Sequence, residues 1–145
     1  MGSTSQQNLT EWARRCFADD RYATQATGAV VDSAGADGRQ GSARCRLALQ
    51  PHHRNARGAV MGGVYYTLAD FAAAIAMNAG EAATGELHWV SLESSVHFLA
   101  QPRGDTLEAS ARCLHHGTTT CLYEVCVSEQ QRLLARVEVR GIRTP

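Results

Sequence analysis

The chain has no lysine and no net charge. All fourteen of its basic residues are arginine, and fourteen acidic residues balance them. Proteins that bind nucleic acid or an anionic membrane surface usually carry a basic field, and this composition supplies none. We therefore expect no nucleic-acid partner and no membrane partner.

The cysteines lack the arrangement that a disulfide framework requires. There are five of them, an odd number, with no Cys-x-x-Cys pair and no regular spacing. Such a set favours reduced thiols and a cytoplasmic protein.

The adjacent histidines at 52–53 and 115–116 would point to opposite faces of a strand, and no Cys or carboxylate lies at ligand spacing. We therefore expect no metal site and no cofactor.

Length and patterning predict one domain. Residues 1–8 are polar, lack the apolar core of a signal peptide and are expected to be disordered, which leaves 9–145 as the domain. Apolar residues at helical spacing predict a short helix over 9–18. Strands are predicted at 24–33 and 41–50. The cluster of small and polar residues at 33–38 predicts a turn between them.

A long apolar segment at residues 60–79 interrupts the strands. Only Thr67, Asp70 and Asn78 break its run of small, aliphatic and aromatic residues. It predicts a helix that is apolar nearly all round and ends near Gly80, and such a helix must be surrounded. Its polar residues favour burial in protein over a membrane span.

The remaining third of the chain alternates with a period of two and predicts an antiparallel meander. Its four stretches are 88–100, 105–115, 119–128 and 132–143. One curved sheet wrapped around one helix leaves an open sheet edge and one helix face uncovered. A second copy is the simplest cover, so we expect a homodimer or a dimer-of-dimers tetramer.

Asp70 is the most informative residue of the apolar segment. An ionised carboxylate in such surroundings costs several kcal/mol unless it is paired or hydrogen-bonded. Either a neighbouring hydroxyl such as Thr67 satisfies it, or its helix face opens onto a site. We favour a site.

The motif around this segment resembles the hot dog fold acyl-CoA thioesterases, specifically the phenylacetate-pathway type. That family typically shows His-x-Asn, six residues, then Gly-Gly leading into a helix with an acidic residue seven positions after the second Gly. The matching residues are His53, Asn55, Gly62, Gly63 and Asp70. The similarity covers roughly residues 40–143 and continues through the stretches 90–93 (VSLE), 98–102 (FLAQP) and 116–119 (HGTT). The resemblance implies an α+β hot dog fold and an enzyme that hydrolyses acyl-CoA to free acid and CoA.

The resemblance also implies catalytic roles. Asp70 would act as general base on a water, or as a nucleophile that forms a transient mixed anhydride. Gly62 would aim its backbone N–H at the thioester oxygen, unless Gly62 and Gly63 merely permit close packing. Asn55 would donate its amide to the acyl carbonyl or hold the water, unless it only caps a turn, and Ser91 would orient the water. In the family the Asn and the Gly-Gly pair come from one subunit and the acid from its partner, so the site would straddle a dimer interface.

Further residues are candidate substrate contacts. Met61 stands where the family usually carries His before Gly-Gly, a difference that bears on substrate preference. Tyr66 lies one turn before Asp70. The candidates as a set are Met61, Gly63, Tyr66, Gly117, Thr118 and Arg103, of which the last three would meet the CoA phosphates.

Two other functions stay open. A hot dog fold enoyl-CoA hydratase would pair its Asp with a His five residues later, and Ile75 stands at that offset. A non-catalytic acyl-CoA or acyl-carrier binding module would keep the slot but could drop the acid, whereas this chain retains Asp70 and Asn55.

Overall fold

The computed structural model describes residues 5–145 and contains one long helix and one sheet. The helices are α1 (Gln6–Cys16) and α2 (Gly62–Ala79). The strands are β1 (Val30–Asp37), β2 (Gln40–Ala48), β3 (Trp89–Phe98), β4 (Thr106–His116), β5 (Thr120–Glu129) and β6 (Arg132–Arg143). Short helical turns cover Phe17–Asp19, Tyr22–Thr27, Pro51–His53 and Ala82–Thr84. None of the helices in this described part is both long and apolar enough to cross a membrane.

The six strands form a single antiparallel sheet in the order β1-β2-β4-β5-β6-β3. Helix α2 packs against all six strands. The expected architecture of one sheet around one central helix is therefore confirmed.

The predicted meander is correct for β4, β5 and β6 but wrong for β3. Strand β3 pairs with β6 instead of β4, so it lies at the sheet edge. The connection that follows it is held by long-range bonds instead of a hairpin turn. The Tyr65 hydroxyl donates to the Ala100 carbonyl at 2.9 Å, and the Gln101 side chain bonds both the N–H and the carbonyl of Val60.

The N-terminal third differs most from the predictions. Helix α1 begins at Gln6, with the Ser5 hydroxyl accepting the Asn8 N–H, so residues 6–8 are helical. Residues 1–4 of the segment expected to be disordered lie outside the described residues. The strand predicted over 24–33 is wrong in its first half, because Tyr22–Thr27 forms a π-helical turn that ends at Gly28 with φ +93°. The turn predicted at 33–38 is also wrong, because β1 continues to Asp37 in register with β2.

Strand β2 shows the predicted alternation and approaches α2 closely. Ala43, Cys45 and Leu47 are buried, whereas the intervening residues of β2 are exposed. At the start of the strand, a Cβ built on Gly41 would lie 1.8 Å from the Ala76 carbonyl oxygen. Only glycine fits between this strand and the helix backbone.

One face of α2 remains open. Gly63 is exposed, and Tyr66, Thr67, Asp70 and Ala74 are half-buried, at the spacing of a single helix face. Beside this face, β3 is exposed at most of its positions. The open helix face and the edge strand are the two surfaces that the sequence analysis expected the fold to leave uncovered.

Candidate active site

Asp70 lies at a cavity of about 540 Å³ on the open face of α2. One wall is α2 itself and the other is the chain segment between α1 and β1. The lining residues are Asp20, Arg21, Tyr22, Ala23, Tyr66, Thr67, Asp70, Phe71 and Ala74. The helix face that carries the carboxylate therefore opens onto a space large enough for a small acyl group.

Ser91 holds the Asp70 carboxylate. Its hydroxyl on β3 donates to Asp70 Oδ1 at 2.9 Å. Thr67, the local alternative, instead donates its hydroxyl to the Gly63 carbonyl at 2.8 Å. The register between β3 and β6 shifts just after Ser91, and such bulges often re-aim side chains beside active sites. Asp70 is thus oriented by the edge strand and not by its own helix.

Tyr66 also reaches from α2 to β3. Its hydroxyl lies 3.0 Å from Ser94 Oγ. Two residues of the open face, one turn apart, are therefore tied to the same strand.

Asn55 shapes the loop that leads into α2. Its Oδ1 accepts the N–H of Arg57 at 2.9 Å and of Ala59 at 3.1 Å, and its own N–H donates to the Ala59 carbonyl. Because both of these bonds use the oxygen, the Nδ2 amide remains available as a donor. The turn-capping role and the donor role are compatible in this geometry.

His53 anchors the same loop. Its Nδ1 accepts the Gln50 N–H at 2.9 Å, so the ring proton is on Nε2 and donates to the Thr27 carbonyl at 2.7 Å. The His53 carbonyl accepts the Met61 N–H. Burial lowers the pKa of this imidazole, although the bond to Thr27 opposes that shift. A neutral, buried histidine thus joins the Tyr22–Thr27 turn to the loop before α2.

The first turn of α2 offers backbone donors. Met61 occupies the N-cap position without a side-chain cap, and among residues 5–145 no backbone or side-chain acceptor bonds the N–H of Gly62 or Gly63. A Cβ on Gly62 would lie 2.8 Å from the Phe98 ring, whereas a Cβ on Gly63 would meet nothing within 4 Å. A side chain at Gly62 would displace the tip of the exposed Phe98 ring, whereas the space at Gly63 is open.

Gly62 and Asp70 do not meet within one protomer. They are eight positions apart on a continuous helix, which corresponds to about 12 Å of rise. One bound carbonyl cannot touch both groups at hydrogen-bond distance.

Gly117 and Thr118 line a separate cavity of about 260 Å³ at the opposite end of α2 from Gly62. The other lining residues are Arg39, Glu81, Trp89, His116 and Arg143. The turn between β1 and β2 thus supplies one arginine and the end of β6 supplies another.

Charge in this second cavity is partly paired. Burial alone would raise the pKa of the Glu81 carboxyl, but the Arg143 guanidinium and the Trp89 indole N–H outweigh it and lower that pKa. Burial lowers the pKa of His116, whose Nδ1 lies 2.8 Å from the Tyr123 hydroxyl. Arg39 forms no ion pair among the described residues, so the cavity has cationic capacity left.

Arg103 lies elsewhere. It precedes β4, whereas Gly117 follows it, so the length of an eleven-residue strand separates the two, about 30 Å. The Arg103 N–H donates to Glu129 at 2.8 Å. Within one protomer the structure does not bring Arg103 to Gly117 and Thr118.

Sequence reasoning missed several residues near the two cavities. Asp20, Arg21 and Tyr22 belong to the segment before the wrongly predicted strand, and Arg39 was not assigned to a site. The only local sign of a site in this segment was the pair of acidic residues at 19–20, followed two positions later by Tyr22. Among residues 5–145, no three His, Cys, Asp or Glu side chains cluster as metal ligands would.

Comparisons with known proteins agree with this architecture. A family model described as the thioesterase superfamily matches residues 57–135, more than half of the chain. No curated protein sequence matches significantly. Among solved structures, the PaaI protein from the phenylacetic acid degradation operon of E. coli superposes with a TM-score of 0.79 at 23% identity, over 94% of this chain and 96% of that one.

Two further structures are similar. A hypothetical thioesterase from Streptococcus pneumoniae TIGR4, solved with coenzyme A, has a TM-score of 0.72 at 21% identity, over 88% of this chain and 96% of that one. The conserved protein PA5202 from Pseudomonas aeruginosa has a TM-score of 0.73 at 23% identity, over 83% of this chain and 91% of that one. These likenesses confirm the α+β hot dog fold, and the family match shows that the chain belongs to the thioesterase superfamily.

Proposed function

We propose that this protein hydrolyses acyl-CoA thioesters to a free acid and CoA, with Asp70 as the catalytic carboxylate. The observation that carries the proposal is the 2.9 Å bond from Ser91 to Asp70 at the mouth of a cavity. Ser91 occupies one carboxylate oxygen and leaves the other free to act. Membership of the thioesterase superfamily supports the reaction class.

The chemistry suits this small set of groups. A thiol with a pKa of about 8.5 departs as thiolate with little acid assistance. The site must supply chiefly a carboxylate, donors for the developing oxyanion and a slot for the acyl chain. Asp70 can serve either as general base on a water or as nucleophile, and Ser91 orients it for both.

The oxyanion donors in this proposal are at the start of α2. The Gly62 N–H lies at the positive end of the helix dipole, and the available Asn55 amide lies in the preceding loop. One such donor contributes on the order of 10²–10³ in rate. Met61 and Gly63 flank this position and would contact the acyl thioester, as Tyr66 would beside Asp70.

We propose that two copies complete each site. About 12 Å separates Gly62 from Asp70 along the helix, so the donors at one carbonyl would come from a second copy. Its docking surface would be the open face of α2 and the β3 edge. Large apolar side chains there are exposed to between 48% and 57%: Met61, Val90, Leu92, Phe98 and Leu99. A homodimer, alone or paired into a tetramer, would cover them.

The CoA phosphates would bind at the second cavity. Arg39, Arg143 and the His116 ring line it together with Gly117 and Thr118. The similar pneumococcal thioesterase was solved with coenzyme A, which supports CoA as the donor here. Arg103 is left out of this cavity. The five free thiols suit a reducing compartment, so we place the protein in the cytoplasm.

The test is thiol release from a panel of aromatic and aliphatic CoA thioesters. Asp70→Asn should lower the rate by about 10²–10⁴ while the fold is kept, and Asp37→Asn at the end of β1 is the matched control. Undiminished hydrolysis by Asp70→Asn would remove Asp70 from the mechanism. If the wild type binds the thioesters tightly but releases no thiol, the protein is a non-catalytic binding module and not an enzyme. Hydration of an enoyl-CoA would contradict both, and the fully buried Ile75 argues against it.

A further inference from the structure

A second carboxylate shares the Asp70 cavity. Asp20 lines it from the segment that follows α1, opposite Asp70 on α2. The remaining lining is mainly aromatic and aliphatic, so these two carboxylates are the only anionic groups that line the cavity in the described part of the chain.

The position of Asp20 is set by the core. Its N–H donates to the Phe17 carbonyl at 3.1 Å, and its carbonyl accepts the Thr24 N–H at 2.9 Å. Phe17 packs edge-on against Phe71 of α2, with ring centroids 6.1 Å apart. The turn that carries Asp20 is therefore fixed to the same helix that carries Asp70.

The Asp20 residue is exposed to solvent, and its carboxylate has no partner among the described residues. Among residues 5–145 it has no hydrogen-bond donor and no ion pair, and Arg21 on the same rim pairs with neither Asp20 nor Asp70. Burial, the charge of Asp70 and the charge of Asp19 raise the pKa of Asp20. The two carboxylates outnumber the single guanidinium, so the cavity is negative when both are ionised.

We propose that Asp20 is a specificity-determining residue that selects uncharged acyl groups and rejects acyl groups ending in a carboxylate. This inference rests on the proposed function, because it assumes that the acyl chain of the thioester enters the cavity beside Asp70. The terminal carboxylate of a short dicarboxylic acyl group would then face Asp20 across the cavity.

The size of the effect follows from Coulomb repulsion at a partly hydrated site. Two like charges roughly 6 Å apart in water-like surroundings disfavour binding by roughly threefold, and partial exclusion of water raises this to roughly tenfold. Salt weakens the repulsion wherever ions reach the exposed Asp20 residue.

The experiment compares glutaryl-CoA with 5-methylhexanoyl-CoA, which has the same shape without the charge. The quantity measured is the ratio of their kcat/KM values. The wild type should favour the uncharged ester, and Asp20→Asn should shift the ratio toward glutaryl-CoA by roughly three- to tenfold. Asp20→Glu should keep the wild-type preference, because it keeps the charge. Asp19→Asn, which removes the same charge from a residue outside the cavity lining, should shift the ratio by less than about twofold.

Several results would overturn the role of Asp20. These are a wild-type ratio near one, an unchanged ratio in Asp20→Asn, or an equal shift in Asp19→Asn. A wild-type protein that releases thiol from neither ester, nor from any member of the wider thioester panel, would overturn the proposed hydrolysis instead. In that case calorimetry on the two thioesters tests the role of Asp20 independently of hydrolysis. Equal dissociation constants for the two thioesters in the wild type would refute the selectivity proposed for Asp20.

Discussion

The two-copy site predicts that inactive variants restore one another. Asp70→Asn removes the carboxylate from one half of the site. Asn55→Asp removes the amide donor from the other half but keeps an oxygen for the N–H groups of Arg57 and Ala59, so the loop before α2 should hold its shape. Each variant alone should be inactive, because every site in its dimer lacks one group.

The mixture should recover a defined fraction of activity. In a heterodimer one site carries both substitutions and the other carries none. Random exchange makes about half of the dimers mixed, so roughly a quarter of the wild-type sites should be restored. A site built within one protomer would recover nothing, since each chain of the mixture would still lack one group.

The assay is thiol release after subunit exchange in mild denaturant followed by dilution. Each variant taken alone through the same cycle is the control, and wild-type protein sets the full rate. A mixture no more active than the mean of its two components would refute the shared site.

Two further predictions concern stability. Gly41→Ala should lower the free energy of unfolding by more than about 3 kcal/mol, because its Cβ would lie 1.8 Å from the Ala76 carbonyl oxygen. Gly63→Ala, with open space around it, should change it by less than about 1 kcal/mol; equal shifts in thermal midpoint would contradict this. The lowered pKa of His53 makes the unfolded state bind more protons near pH 6, so wild-type stability should fall as the pH drops below about 6.5. His53→Gln should be less stable at pH 7.5, and chemical denaturation should show that difference narrowing toward pH 5.5; a constant difference would mean that His53 does not titrate on unfolding.

The central helix and most of the sheet follow from local patterns. The composition of residues 60–79 requires a surrounded helix, and strict alternation identifies β2 and the three strands of the meander. These signals depend on neighbours within a few positions, so they can be interpreted without knowing the tertiary structure.

The pairing of β3 could not be predicted in the same way. Its pairing with β6 is decided by contacts between residues far apart in the sequence, such as Ser91 opposite Gly141, fifty positions later. The Tyr22–Thr27 turn is similar, since His53 bonds the Thr27 carbonyl across 26 positions. Thr and Ala in that segment favour no single structure, and tertiary contacts decide it.

Some residues of the candidate site can likewise be predicted from the local sequence, whereas others depend on tertiary contacts. Asp70 stands out as the one charge in an apolar helix, and the family motif adds Ser91, which the structure joins to it. Asp20 has no such contrast with its neighbours, because acidic residues are ordinary on a polar turn. Its proximity to Asp70 depends on Phe17 packing against Phe71. Arg103 was grouped with Gly117 and Thr118 for its charge, but it lies at the other end of β4. Basic character alone does not show which end of a strand a residue lies on.

Trp89 gives the second cavity a built-in optical reporter. Its ring is buried, lies 4.4 Å from the His116 ring and forms part of the wall beside Arg143. The other tryptophan, Trp12 of α1, packs against Phe17 and does not line this cavity. Binding of a nucleotide in this cavity should therefore change the fluorescence of Trp89. The change would report binding directly, without a label, a coupled enzyme or turnover.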